Sequence, residues 1–149
     1  MLLLRALLAF LALPGIVALA VPAAWLIRTG RTEVVRPWGL ALLAGGFAGL
    51  LWCVRDFYVA GRGTLAPWSP PRRLVAVGLY RYSRNPMYVA VLAILAGWGV
   101  TFDSGGHLVY AGCVAIAFHL RVVGFEEPWL ARTFPDDWET YRRRTPRWL

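Results

Sequence analysis

Apolar residues in this chain run in long stretches, and polar residues collect in the short gaps between them. Leu2 to Ile27 is nearly continuous apolar sequence, longer than the ~20 residues that span a bilayer as a helix, with Pro14 and Pro22 as tolerable kinks. Trp38 to Ala60 predicts a second span, in which Gly39, Gly45, Gly46 and Gly49 permit close helix approach and Trp38 and Tyr58 suit the membrane interface. Met87 to Phe102 and His107 to Val123 predict a helical hairpin turning at Asp103-Ser104-Gly105-Gly106. At ~1.5 Å per residue both fall short of a ~30 Å hydrocarbon core, so polar helix is expected to complete their ends. After Pro128 the chain is amphipathic, with Trp129, Leu130, Phe134, Trp138 and Tyr141 among charges, and is expected to lie on the membrane surface. The pattern predicts one all-α integral membrane domain over residues 1–149. Its parts are four spans (2–27, 38–60, 87–102, 107–123), a motif loop (61–86) and a C-terminal interfacial segment (126–149).

Composition narrows the chemistry. With 58% hydrophobic and only 16% charged residues, the chain is too apolar for an ordinary soluble domain, and the lipid bilayer is its expected partner. The net charge of +8 raises the question of nucleic acid. The arginines gather at the ends of apolar runs, however, as cytoplasmic loops of membrane proteins do, so no nucleic-acid partner is expected. The loop between the third and fourth spans carries none of them, which predicts both termini and the motif on the cytoplasmic side of a bacterial-type inner membrane. A cleaved leader is the competing reading of the first span, with Arg5 before it and Ala18-Leu19-Ala20 as the cleavage site; the apolar run continues past that site, which favours a retained anchor. All 16 basic residues are Arg, which excludes lysine chemistry, and Asn85 is the sole Asn in a chain without Gln. Cys53 and Cys113 lie in apolar runs with no ligand spacing, so they read as packing residues, with no metal site. The glycine-rich second span could pair with a copy of itself or with its own neighbours, which leaves the oligomeric state open.

Polar chemistry concentrates at two places. In Tyr80-Arg81-Tyr82-Ser83-Arg84-Asn85-Pro86-Met87-Tyr88 the proline suits the first turn of the third span. The free N–H groups of that turn, beside two arginines, suit an anionic group such as a carboxylate. The alternative is a girdle that only anchors the span at the interface. The second place is Glu126-Glu127, adjacent acids just beyond an apolar helix, with His119 and Glu126 on one helical face. Either both are solvated acids before the helix that Pro128 opens, or one pairs with Arg84 or Arg81 while the other accepts hydrogen bonds from a ligand.

Leu74-Val75, Gly78-x-Tyr80, Arg84-Asn85-Pro86-Met87-Tyr88, Glu126-Glu127-Pro128-x-Leu130, Phe134, Tyr141 and Pro146-Arg147-Trp148 together resemble the isoprenylcysteine carboxyl methyltransferases and their phospholipid methyltransferase relatives. The resemblance covers about the C-terminal half of the chain. It implies an integral membrane enzyme that binds S-adenosylmethionine between the last spans and the C-terminal segment, with a lipid-like acceptor arriving from the bilayer. Carried onto matching positions, the cofactor contacts are Leu74, Val75, Tyr80, Asn85, Pro86, Tyr88, Glu126 and Glu127. Arg84 and Glu126 are the catalytic candidates, with Arg121 as a substrate anchor. Asn85 stands where the family often has His; it keeps a donor but cannot titrate near neutrality. The family's Phe-Gly-x-x-Tyr becomes Phe134-Pro135-Asp136-Asp137-Trp138 here, which is expected to reshape the turn.

The function this implies is methyl transfer from S-adenosylmethionine to a lipid-like or small membrane-soluble acceptor, most simply a carboxylate, which is ionised at neutral pH and needs no base. An amine acceptor, as in phospholipid N-methylation, would need one, from Glu126, Glu127 or His119. A non-catalytic membrane protein that keeps the scaffold is the reading from a different class.

Overall fold

The computed structural model describes residues 11–61 and 73–149. Residues 2–10 of the first expected span and most of the Gly/Pro/Arg-rich part of the motif loop lie outside them. Among the described residues every regular element is helical. Leu11–Ala20 is wound as a wide π-helix and runs into α1 (Val21–Thr29); α2 (Gly39–Val59) and α3 (Pro86–Thr101) are joined through a 3-10 turn at Gly78–Arg81. Next come α4 (Gly105–Arg121), a π-helical segment (Val122–Glu126), α5 (Glu127–Thr133) and α6 (Pro135–Arg144).

The all-helical membrane expectation holds, but the count of four spans does not. Among the described residues two helices are long and apolar enough to cross a bilayer: Gly39–Val59, and a continuous 29-residue helix, Gly105–Thr133. Pro14–Thr29 and Pro86–Thr101 are apolar but shorter. The fourth expected span therefore does not stop at Val123. Glycine at 124 and proline at 128 read as a break, yet the backbone absorbs both by widening to π geometry over Val122–Glu126, so the acidic pair lies inside a continuous helix. The same widening removes the simple seven-residue register assumed between His119 and Glu126. Leu108, Val109, Ile116, Leu120 and Phe125 are exposed along this helix, as a lipid-facing surface requires.

α2 and α3 pack antiparallel along a glycine seam. A methyl group at Gly46 would lie 2.8 Å from the Ala90 carbonyl oxygen and 2.9 Å from the Ile94 nitrogen, and one at Gly97 would lie 2.8 Å from the Leu43 nitrogen. Backbones this close leave no room for any side chain. Leu50, Val91, Ile94 and Leu95 fill the core beside the seam. In lipid such packing is driven by van der Waals contact and not by escape from water.

Pro22 explains how the first helix is fixed. Without an N–H it leaves carbonyls one turn back unbonded, whether the winding is α or π. Trp98 Nε1 donates to the Ala18 carbonyl at 2.9 Å and Tyr110 Oη to the Val17 carbonyl at 3.2 Å, so α3 and α4 supply the missing donors. Buried His107 links Ser104 Oγ (2.8 Å) to the Pro22 carbonyl (3.2 Å). At the opposite end from the motif, the Val35 and Arg36 N–H groups both donate to Thr101 O, and Arg36 pairs with Asp103 at 3.0 Å. Cys53 is fully buried as expected, whereas Cys113 is exposed on α4. The wrong expectation for Cys113 came from treating an apolar run as buried all round, which a lipid-facing helix is not.

Candidate active site

The turn that opens the motif owes its position to a glycine. Gly78 has φ +57°, and a side chain there would collide with the buried carboxylate of Asp56 on α2. From it the 3-10 turn carries Tyr80 inward against Phe57, at 5.4 Å between ring centroids. Val75, Tyr80 and Cys53 form one small buried cluster, and burial pushes the Tyr80 phenol well above its ordinary pKa. Two residues further, Ser83 Oγ accepts the Asn85 N–H at 3.1 Å, and Pro86 begins α3 as expected of a proline at a helix start.

Both acids face this turn, and each has its own partners. Glu126 accepts hydrogen bonds from the Tyr88 hydroxyl and, at 2.8 Å, from Arg121 Nε. The Tyr88 ring packs on Phe118 at 4.2 Å and is thereby held for that bond. Glu127 lies 3.1 Å from Arg84 Nη1 and accepts a bidentate pair from Arg147, Nε to Oε1 at 2.8 Å and Nη2 to Oε2 at 2.9 Å. The Arg84 side chain is only 10% exposed and lies over the Trp138 ring at 5.3 Å. Its approach to Glu127 is out of line for a hydrogen bond. Among the described residues Nε and Nη1 of Arg84 are both buried without a hydrogen-bond acceptor. A buried donor without an acceptor costs about 1–3 kcal/mol, more when charged, so this guanidinium, although ion-paired with Glu127, has donors to spare for a second acceptor. Burial lowers its pKa and the Glu127 charge opposes that effect.

The C-terminal segment completes the wall. Pro135 is the first residue of α6, a position that suits proline, and the chain breaks between α5 and α6 at Phe134. Trp138 and Tyr141 are buried, and the Tyr141 hydroxyl donates to the Tyr80 carbonyl at 2.7 Å; burial raises its pKa above the ordinary phenol value. Beyond α6 the chain crosses the motif. Pro146 O accepts the Arg84 N–H at 2.9 Å, and Arg147 O accepts from Asn85 Nδ2 at 2.9 Å and from Ser83 Oγ at 3.4 Å. Trp148 lies beside His119, with ring centroids 6.1 Å apart.

Of the residues singled out in the sequence, Tyr88 and Arg121 meet at Glu126, Arg84 meets Glu127, and Asn85 reaches the segment that follows α6, while Pro86 is buried at the start of α3. Val75 and Tyr80 point into packing. Leu74 lines a separate shallow groove of about 520 Å³ with Arg81, Asp137 and Tyr141. Ser83 and Arg147 stand in the motifs read from the sequence, which by itself assigns them no role at the site. The signal for Arg147 is that Pro146 sets it apart from the helical run Arg142-Arg143-Arg144, so it alone leaves α6 for the motif.

Residues 35–137 match the phospholipid methyltransferase family. The chain belongs to that family. The matched stretch holds Arg84, Asn85, Tyr88, Arg121 and both acids, and it ends before the segment that crosses them. Among curated proteins, the chain is similar to the cobalt-zinc-cadmium resistance protein CzcN of Cupriavidus metallidurans, with 36% identity over 101 residues, 66% of this chain. That stretch is 41% of the relative, so the chain matches well under half of that protein's length. No solved structure matches.

Proposed function

We propose that the chain uses S-adenosylmethionine to methylate a lipid-like or small membrane-soluble acceptor at the start of α3. The observation that carries this is the buried Arg84 guanidinium with unpaired N–H groups beside Glu127. A cation short of an acceptor next to a carboxylate complements a zwitterion, and the amino-acid end of the cofactor is one. Arg84 would take its carboxylate, while Glu127 and Asn85 would hold its ammonium and neighbouring polar atoms. When bound, the cofactor supplies a methyl group already activated on a sulfonium.

The residues then have little bond chemistry to do. Arg84 and Glu127 orient, Trp138 and Tyr141 exclude water, and alignment of this kind is worth ~7 to 11 kcal/mol in favourable cases. Arg121, half-exposed and beside Phe125 at 5.8 Å, suits the anchoring of an acceptor carboxylate from the bilayer side. An amine acceptor is the second reading, favoured by the family's phospholipid description; Glu126, bonded by Tyr88 and Arg121, is then the group to receive the proton. The arginine pattern supports a site on the cytoplasmic face of the inner membrane.

Incubation of the detergent-purified protein with S-adenosylmethionine labelled in its methyl group and a membrane lipid extract tests this. Label is expected in the extract, base-labile for an ester and base-stable for a methylated amine. Arg84→Gln is expected to abolish it. Absence of transfer from the unaltered protein with every extract would favour a non-catalytic scaffold.

A further inference from the structure

Arg147 takes up the carboxylate that the proposed cofactor site would offer to an ammonium. Its guanidinium engages both oxygens of Glu127, and its carbonyl takes the amide donor of Asn85. Three backbone-directed bonds, from Arg84 N, Asn85 Nδ2 and Ser83 Oγ, lay Pro146-Arg147 across the start of α3. A cation from the chain itself stands where a ligand cation would bind. The neighbouring Arg84 meanwhile keeps two buried N–H groups with no acceptor. A structural ion network in its resting form would be expected to satisfy that guanidinium as well as Arg147.

We propose that Pro146-Arg147-Trp148 is a displaceable strap, whose Arg147 side chain competes with the ligand's ammonium for Glu127, so that entry of the cofactor requires the strap to lift. The inference rests on the cofactor reading above. The attachment is suited to opening. The Arg147 side chain is 36% exposed, so water can solvate its guanidinium as it leaves, and Glu127, 15% exposed, still has Arg84 as an ion-pair partner. Trp148 makes one loose ring contact, with His119, and Leu149 is 90% exposed. Below the strap, Thr145 and Tyr141 are buried and hold α6 in place, so the hinge falls at Thr145-Pro146, where the helix has ended. When the strap lifts, Glu127 keeps Arg84, and the site becomes the acid–base pair that a zwitterion fits. A site open only part of the time binds with its affinity reduced by the open fraction.

The test is calorimetric binding of S-adenosylmethionine to the full chain and to Arg147→Gln, together with tryptic cleavage at Arg147-Trp148 followed by mass. A displaceable strap predicts that Arg147→Gln lowers the Kd about tenfold. It also predicts that saturating cofactor speeds cleavage of the unaltered chain several-fold, because trypsin needs the Arg147 side chain free. If the strap is instead a permanent wall of the pocket, Arg147→Gln weakens binding or leaves it unchanged and cofactor slows the cut, and the proposal falls while the cofactor reading stands. Binding to neither protein overturns both. The tryptic readout uses the unaltered chain and decides the matter even where Arg147→Gln does not fold.

Discussion

The α2–α3 seam and the polar cap over the start of α3 are held by opposite means. The seam is steric: Gly46 and Gly97 allow backbones to touch, and there is nothing charged along it. The cap is electrostatic, with Arg84, Arg121 and Arg147 converging on two glutamates over a buried tryptophan. The seam has one solution and no alternative partners. The cap has more cation donors than its two acids can satisfy, and a surplus of that kind allows one arrangement to be exchanged for another. Stability belongs to the first region and ligand exchange to the second.

Substitutions sharpen the contrast. Gly46→Val is expected to be the most damaging, because its side chain would meet the backbone of Ala90 and Ile94; the cost is about 3 kcal/mol, read as loss of monodisperse protein or a large fall in melting temperature. If the variant is as stable as the unaltered chain, the seam is not as tight as described. Tyr141→Phe removes the bond to the Tyr80 carbonyl and is expected to cost about 1 kcal/mol, with faster proteolysis of α6 and no change in the α2–α3 pair. The same contact gives the cap a pH dependence. Burial raises the folded-state pKa of Tyr80 and Tyr141, so their contribution is complete below the ordinary phenol value of about 10 and is lost as pH climbs through and above it. Protease sensitivity of α6 is expected to rise above that pH, and the seam to show no such transition. Glu139→Gln is expected to change nothing measurable, since its pairs with Arg142 and Arg143 lie at the surface. A measurable fall in stability there would mean that surface charge holds α6.

Much of this division is legible in the sequence, for a physical reason in each case. Gly39 and Gly46 of the second span mark the seam, since a small residue lets helix backbones approach, whereas Gly45, expected beside them, has open space next to it. The motif and the acidic pair mark the cap, since polar groups beside apolar helix need partners. What the sequence hides are the choices that depend on three dimensions. Gly124 and Pro128 look like a helix end, and only the π-widened backbone shows that the helix runs through the acids. Val75 and Tyr80 belong to the motif by position but face packing, because the 3-10 turn carries Tyr80 inward against Cys53 and Val75 packs in the same cluster. Arg147 looks like one more residue of a basic tail, and its pairing with Glu127 depends on α6 folding back over a motif more than sixty residues away in sequence.

The account stands on Glu127 and Arg84 as the seat of the cofactor, and calorimetric binding of S-adenosylmethionine to the unaltered protein and to Glu127→Gln tests it most directly. Saturable binding that is lost or weakened roughly thirtyfold or more in the variant is the expected result, in line with a hydrogen bond to a charged group. Equal affinity in the two proteins, or binding to neither, would contradict it.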